Sequence, residues 1–508
     1  MSLINACVGC GRGAVSALIL AVLSHASAAS GQTTITGTAG GQSYEFLDYT
    51  YQGLPGRLYV PDAYDPSQPT AVVTFMHGLG ERGDNNTSQV VNSSGAIPYM
   101  GNLIARANAD NFLVYIPQSA AGWWAESDTV VAALGQLSLD YHTDPTRHYL
   151  TGLSAGGAGV MRGLREHTSL YAAYSPLSVA SRYFTSEADA QPFADVPTWY
   201  FTGFNDTPYR NNARNSYLNT LRAQGVAEAD LPSFPTTATT YTYRSDTGLT
   251  RITEFANGGH NNATWNNGAY ASAELYNWMF SHTAETASPK AGQTIRLSLQ
   301  DTTAEPRGLT DANGRFFNSS YYYNQSRVIS TFALDEAGNR TSVIFEVTDP
   351  FRGRHATTLP ASAAFDESTA GNYWELYRFG DGQDRGQITI HGLEAGGLYD
   401  LGLFASVATT NTSNYLGVYS VGDQSILIDA ANNDQEFFLR SLIASGDGTL
   451  VLDVALPRDE QGNILSTFAA LNTLSITAVP EPAGLTLVML SAVALLSPRA
   501  RRRDRVAL

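Results

Sequence analysis

Residues 148–164 read HYLTGLSAGGAGVMRGL, and inside them Gly152-Leu153-Ser154-Ala155-Gly156 sets a serine between two glycines at G-x-S-x-G spacing. A serine hydroxyl attacks a carbonyl only when a base takes its proton and hydrogen-bond donors receive the oxyanion that forms. A sharp turn from strand to helix suits that task, since it lifts the serine oxygen above the sheet. Glycines two positions to either side keep side chains out of the neighbouring strand and helix. Taken alone, the pattern also fits a small residue in a glycine-rich turn, so the other residues decide the matter.

An oxyanion hole needs two converging N–H groups, one of them on the residue after the nucleophile. Ala155 supplies the first, and the stretch TFMHGLGERGDNN supplies a loop for the second. Leu79 is the expected donor, because Gly78 and Gly80 let the backbone turn close to a substrate carbonyl. His77 at the head of that loop is expected to support it, and is also a candidate substrate contact.

The acid and the base should follow the serine in the order Asp or Glu, then His. Downstream in the same region stand His167, His260 and His282. His167 belongs to the helix behind the serine and His282 ends the last helix. His260, in the glycine-flanked loop ANGGHNNATW, is the candidate base. Asp206, in TWYFTGFNDTPYR, lies just past a strand end and is the candidate acid, whereas Asp195 precedes that strand and falls at the wrong edge. Trp123, Trp124 and Trp265 are candidates for an aromatic wall around an acyl or sugar group.

These residues must be held by a sheet. Apolar runs at Ala71–His77, Phe112–Pro117, Arg147–Gly152 and Thr198–Gly203 alternate with helix-like stretches such as TVVAALGQLSLDY and AGVMRGLREH. Continuous apolar strands separated by helices predict an α/β fold, a doubly wound, mostly parallel sheet covered on both faces, over residues 33–283. The texture changes across a linker at 284–294. From 295 to 478, short alternating runs such as IRLSL, SVIFEV, QITIHGL, LYDLGLF and TLVLDVAL, with turn signals between many of them, predict an antiparallel β-sandwich. Its aromatics, Tyr321, Tyr322, Tyr323, Tyr373, Trp374 and Tyr377, are candidates for stacking on sugar rings.

The chain has 508 residues, 43% hydrophobic and 15% charged, with a formal net charge of -16. Residues 1–28 join Arg12, the apolar run Ala14–Leu23 and Ala26-Ser27-Ala28, the form of a secretory signal peptide with its cleavage site. Both cysteines, Cys7 and Cys10, lie inside it, so the exported body would carry no disulfide and no thiolate-bound metal. At the other end, the uncharged run Ala483–Leu496 would span only about 21 Å as a helix, against a hydrocarbon core of roughly 30 Å. Five arginines follow, at 499, 501, 502, 503 and 505, and would stay cytoplasmic. Without these ends the body is more acidic still, which excludes the basic patches that nucleic acid requires.

The tail at 479–505, Pro-Glu-Pro, short apolar helix and arginine cluster, resembles the PEP-CTERM sorting signal of Gram-negative bacteria. That resemblance implies recognition by an exosortase-type membrane protease, transient inner-membrane association, and delivery to the cell surface or medium.

HGLGERGDN, PQSAAGWW, DPTRHYLTGLSAGG, the GFND strand end and GGHNNATWNNGAY together resemble the esterase and predicted-peptidase branch of the α/β-hydrolase superfamily. Its relatives include feruloyl and acetylxylan esterases and polyhydroxybutyrate depolymerases. The resemblance implies Ser154 as nucleophile, Asp206 as acid, His260 as base, Leu79 and Ala155 at the oxyanion hole, and no metal or organic cofactor. That branch often carries Met after the serine where this chain has Ala155, which blurs the subfamily but not the chemistry. The stretch GLEAGGLYDLGLFAS and the strands after it resemble jelly-roll-like modules found before such tails. The expected function is cleavage of carboxylic esters, on polysaccharide or polyester substrates. A peptidase with the same triad and a non-catalytic surface adhesion protein are the alternatives.

Overall fold

A computed structural model describes residues 33–122, 124–284, 288–299, 308–320, 327–377, 384–410 and 415–480. The expected signal peptide and all but the first residues of the sorting tail therefore lie outside the described residues, as do Trp123 and Tyr321–Tyr323. Among the described residues, no helix is long and apolar enough to cross a membrane.

The first region is built on a ten-stranded sheet: β1 (Thr34–Ala39), β2 (Gln42–Asp48), β3 (Gly56–Tyr59), β4 (Thr70–Met76), β5 (Leu113–Pro117), β6 (Thr143–Leu153), β7 (Ala173–Leu177), β8 (Thr198–Gly203), β9 (Tyr241–Arg244) and β10 (Thr250–Phe255). Their order across the sheet is β1-β2-β3-β5-β4-β6-β7-β8-β10-β9. The six strands from β5 to β10 along that order pair in parallel. The edges, β1 to β3 on one side and β9 on the other, are antiparallel. The sheet is thus mixed and mostly parallel, as the sequence led us to expect.

Helices α1 (Gly101–Asp110), α2 (Ser127–Asp140), α3 (Ala155–Glu166), α4 (Glu187–Ala190), α5 (Tyr209–Ala223) and α6 (Ala273–Met279) cover it. The strands read as continuous apolar runs because both faces are covered. In β5, Leu113 and Tyr115 join the core under α2, α3 and α5, while Val114 and Ile116 join the core under α1 and α6. Val72 and Val73 of β4 divide in the same way. Strand alternation thus feeds two cores from one run of residues.

Beyond residue 293 the described residues form two six-stranded sheets and one of three strands. Most pairs are antiparallel; Thr294–Leu299 with Phe316–Ser320 is parallel. Leu401 and Ile476 from one six-stranded sheet, Phe345 and Leu452 from the other, and Trp374 from the third meet in a single core. Trp374 is wholly buried and Tyr373 nearly so. The expectation that these two rings stack on sugars is therefore corrected: they fill the interior.

The two regions share buried surface. Phe332 and Ile344 belong to the same apolar cluster as Leu134, Leu137 and Leu150 of the first region, and the Phe332 ring meets His148 edge-on at 5.3 Å. Thr331 presses on Gly135 of α2, where no Cβ would fit. Truncating a fully buried phenylalanine removes its transfer free energy and leaves a cavity. Phe332→Ala should therefore lower the unfolding free energy by about 3–5 kcal/mol, read in a urea titration.

Candidate active site

Ser154 follows β6 immediately and caps the N-terminus of α3 with φ 56° and ψ -117°. A non-glycine residue pays for positive φ in steric strain and keeps it only when its surroundings over-determine it. Here its N–H donates to the Leu177 carbonyl at 2.9 Å, and its carbonyl accepts from the N–H groups of Ala158 and Ala180, both at 3.1 Å. The flanking glycines meet backbone on all sides. A Cβ on Gly152 would stand 2.6 Å from the Met76 carbonyl oxygen, and one on Gly156 would overlap the carbonyls of Met76 and His77. The turn is as tight as the sequence pattern implied, and it sets the start of α3 against the end of β4.

The ends of β8 and β10 are drawn together by another glycine contact: a Cβ on Gly258 would lie 2.7 Å from the Gly203 Cα. Asn205 N–H donates to the Gly258 carbonyl at 3.0 Å, and Thr264 Oγ1 donates to the Gly259 carbonyl at 2.6 Å. These bonds fix the loops that carry Asp206 and His260. With its proton on Nδ1, His260 donates to Asp206 Oδ1 and Oδ2 at 3.0 and 3.2 Å. Its Nε2 accepts from the Ser154 hydroxyl at 2.8 Å. The Asp206 side chain is 1% exposed and that of His260 33%, so the imidazole bridges a buried carboxylate and an accessible serine. Asp195 sits before β8, at the other end of that strand, as expected.

Leu79 begins the short turn Leu79–Glu81 after Gly78, and its side chain is 36% exposed on the rim of the site. A Cβ on Gly78 would come within 3.6 Å of the Ser154 Cβ, so this loop lies directly against Ser154. The N–H groups of Leu79 and Ala155 make no hydrogen bond among the described residues. The positive end of α3 adds to the field at this point.

His77 is 1% exposed. Its Nδ1–H donates to the Gly78 carbonyl at 2.7 Å, and its Nε2 accepts from Ser119 N–H at 3.0 Å. It pins the loop, as one of the two expectations for it had it; the other, substrate contact, is corrected by its burial. Trp124 is likewise corrected. It is 0% exposed, its Nε1 donates to the His77 carbonyl at 3.2 Å, and it supports the loop from beneath. Trp265 is also no open wall. It is 5% exposed, donates Nε1 to Ser178 Oγ at 2.9 Å, and meets the His260 ring edge-on at 4.9 Å.

Two neighbours of His260 were not anticipated from the sequence. Tyr209 stacks on its ring at 4.1 Å and 23°, and Tyr99 packs edge-on to Trp265 at 5.1 Å. Tyr209 had a local signal, three residues beyond Asp206 at the start of α5. Tyr99 had none, because its loop meets the site only through the fold.

Among the described residues, one group could gather around a metal ion: Asp128, Glu166 and His167, whose ligand atoms lie within 4.8 Å of one another. It stands at the far end of α3 from Ser154. His167 Nε2 is 2.8 Å from Asp128, and Glu166 pairs with Arg162 at 3.0 Å, so the cluster is knit by its own charges.

No family profile matches the chain. A bifunctional acetylxylan esterase/xylanase of Neocallimastix patriciarum is 24% identical over 216 residues, 41% of this chain and 29% of that protein. The chain thus matches less than a third of that relative's length. Among solved structures, a thermostable esterase is 22% identical, with a TM-score of 0.35 over 50% of this chain and 63% of its own. The feruloyl esterase module from Clostridium thermocellum complexed with sinapinate is 16% identical, with a TM-score of 0.34 over 49% of this chain and 87% of its own.

Burial holds the His77 imidazole down to about 4, with the Gly78 carbonyl opposing only part of the shift, and burial does the same to His148. The unfolded chain takes up these protons near pH ~6.5, while the folded chain resists them until about pH 4. Stability is then fully present above that window and falls as acid is added through it. Urea midpoints should drop steadily between those limits, and His77→Gln should make the slope shallower.

Proposed function

We propose that this chain is an exported serine hydrolase that cleaves carboxylic esters through an acyl-enzyme, with Ser154, His260 and Asp206 as its triad. The observation that carries this reading is the continuous hydrogen-bonded line from the Ser154 hydroxyl through His260 to the buried Asp206. In this reaction Ser154 Oγ attacks the ester carbonyl as His260 Nε2 takes its proton. The tetrahedral oxyanion sits between the N–H groups of Leu79 and Ala155. Asp206 fixes the tautomer and stabilises the imidazolium. His260 then protonates the departing alcohol, and a water activated by the same imidazole releases the acid and restores Ser154.

The acetylxylan esterase relative supports acylated polysaccharide as the substrate class. Ester cleavage outranks peptide cleavage because an amine leaving group demands more of the general acid. The signal-peptide form at 1–28 and the tail from Val479 support export and sorting to the cell surface.

A fluorophosphonate probe applied to the purified chain should label it, and Ser154→Ala should abolish labelling. Asp206→Asn should lower kcat on an aryl acetate by about 10⁴-fold, since the wrong histidine tautomer then faces the serine. Labelling that survives Ser154→Ala, or an Asp206→Asn variant of undiminished rate, would sink the proposal.

A further inference from the structure

Glu81 stands beside the Ser154 site, and among the described residues it makes no ion pair. It ends the turn that begins with Leu79. The position a Cβ on Gly78 would take is 3.1 Å from Glu81 Oε2 and 3.6 Å from the Ser154 Cβ. Carboxyl and nucleophile therefore lie on one side of the loop. Tyr99, whose phenol is pushed up by burial and secondarily by the Glu81 carboxylate, packs against Trp265, which packs against His260. The adjacent Arg82 donates to the Leu79 carbonyl at 2.8 Å. Gln118, the nearest amide, donates to the Glu81 carbonyl and not to its side chain. Burial pushes the Glu81 carboxyl up to about 7, against the pull of the backbone N–H groups of Glu81 and Gly78. The reaction derived above makes no use of this group.

A carboxylate here is costly unless a substrate answers it. Ionised, it repels the oxyanion that forms beside Leu79, and the backbone N–H groups of Glu81 and Gly78 offset only part of its lost hydration. A hydroxyl donated by the substrate would offset both. A site built to bond a hydroxyl in this way discriminates strongly against an analogue that lacks it, because the polar group is then left without a partner.

We propose that Glu81 is a specificity-determining residue that accepts a hydrogen bond from a substrate hydroxyl next to the scissile ester, so that the site selects partially acylated polyols and sugars. This deepens the esterase reading and rests on it. The chemistry recognised is a free hydroxyl on the carbon beside the ester-bearing carbon. Fully substituted esters and esters of simple alcohols lack it.

The test uses the full chain and two matched substrates above pH ~8, where such a carboxyl is ionised. One is the monoacetate of a vicinal cyclohexanediol, which carries a hydroxyl beside the ester; the other is cyclohexyl acetate, which carries none. The wild type should favour the first, and Glu81→Leu should cut the ratio of the two kcat/KM values by about tenfold, the effect of losing one hydrogen bond to a charged group. Glu81→Gln, which keeps the shape and a neutral acceptor, should fall between them. A purely structural role would move both rates together and leave the ratio alone, which would overturn the inference. So would a wild type that takes the fluorophosphonate label at Ser154 yet shows no preference. A wild type that takes no label and cleaves neither ester overturns the esterase reading itself.

Discussion

The site depends on one close approach, that of the first turn of α3 to the last residues of β4. Gly156 touches the carbonyls of Met76 and His77 where any side chain would collide, and this contact lets β6 turn sharply enough to put Ser154 at φ 56°. Strain of that kind costs about 1–3 kcal/mol. It is held by the hydrogen bonds of Ser154 to Ala158 in α3 and to Leu177 and Ala180 at and just after the end of β7. The same approach brings the loop after β4 against the serine, so the N–H groups of Leu79 and Ala155 and the Ser154 hydroxyl are positioned by a single packing event. Neither could shift without the other.

Around this contact, two histidines show how environment assigns roles to one side chain. His77 lies in the interior with both ring nitrogens bonded to backbone. It is kept neutral by burial and acts as a strut. His260 is a third exposed, with a carboxylate behind it and a hydroxyl in front. A proton arriving on its Nε2 finds Asp206 already aligned at Nδ1. Tyr209 and Trp265 brace the ring on its face and edge, which restricts its rotation without using its nitrogens. The geometry needed for proton transfer is thus supplied by apolar packing, while the nitrogens stay available for chemistry.

The parts that were legible in the sequence are those whose signals are local. The G-x-S-x-G turn states its own backbone requirement, and Thr198–Gly203 was bounded by a proline and a glycine, so its limits match β8. The apolar runs at 71–77 and 112–117 stood out because both of their faces are buried. Asp206 could be chosen because it follows a strand end, and His260 because it stands in a glycine-flanked loop while His167 and His282 read as helix residues. The antiparallel strands β1 to β3 were not legible; β1 and β2 carry polar residues on a partly exposed edge, and β3, though buried, is only the four residues Gly-Arg-Leu-Tyr and has no apolar run. The tryptophans misled because a large ring near a site in sequence can point either way, and only the packing tells which. Trp124 turned inward, its indole N–H taken by the His77 carbonyl.

The second region was legible as strands but not as a neighbour. Nothing in the run around Phe332 marks it as a residue that would enter the core of the first region, since a buried phenylalanine looks the same whichever core it joins. Its position has a consequence for the site. Thr331 and Phe332 press on α2 and His148. That helix starts at Ser127, three residues beyond Trp124, whose indole holds the His77 carbonyl at the head of the loop that faces Ser154. Ser119 N–H bonds to His77 from the chain just before the same tryptophan. Part of the second region therefore packs on α2 and His148, and the loop beside Ser154 is tied through Trp124 and Ser119 to the chain that leads into that helix. The second region, through Phe332 and Ile344, thus completes the apolar cluster on which α2 and α3 pack.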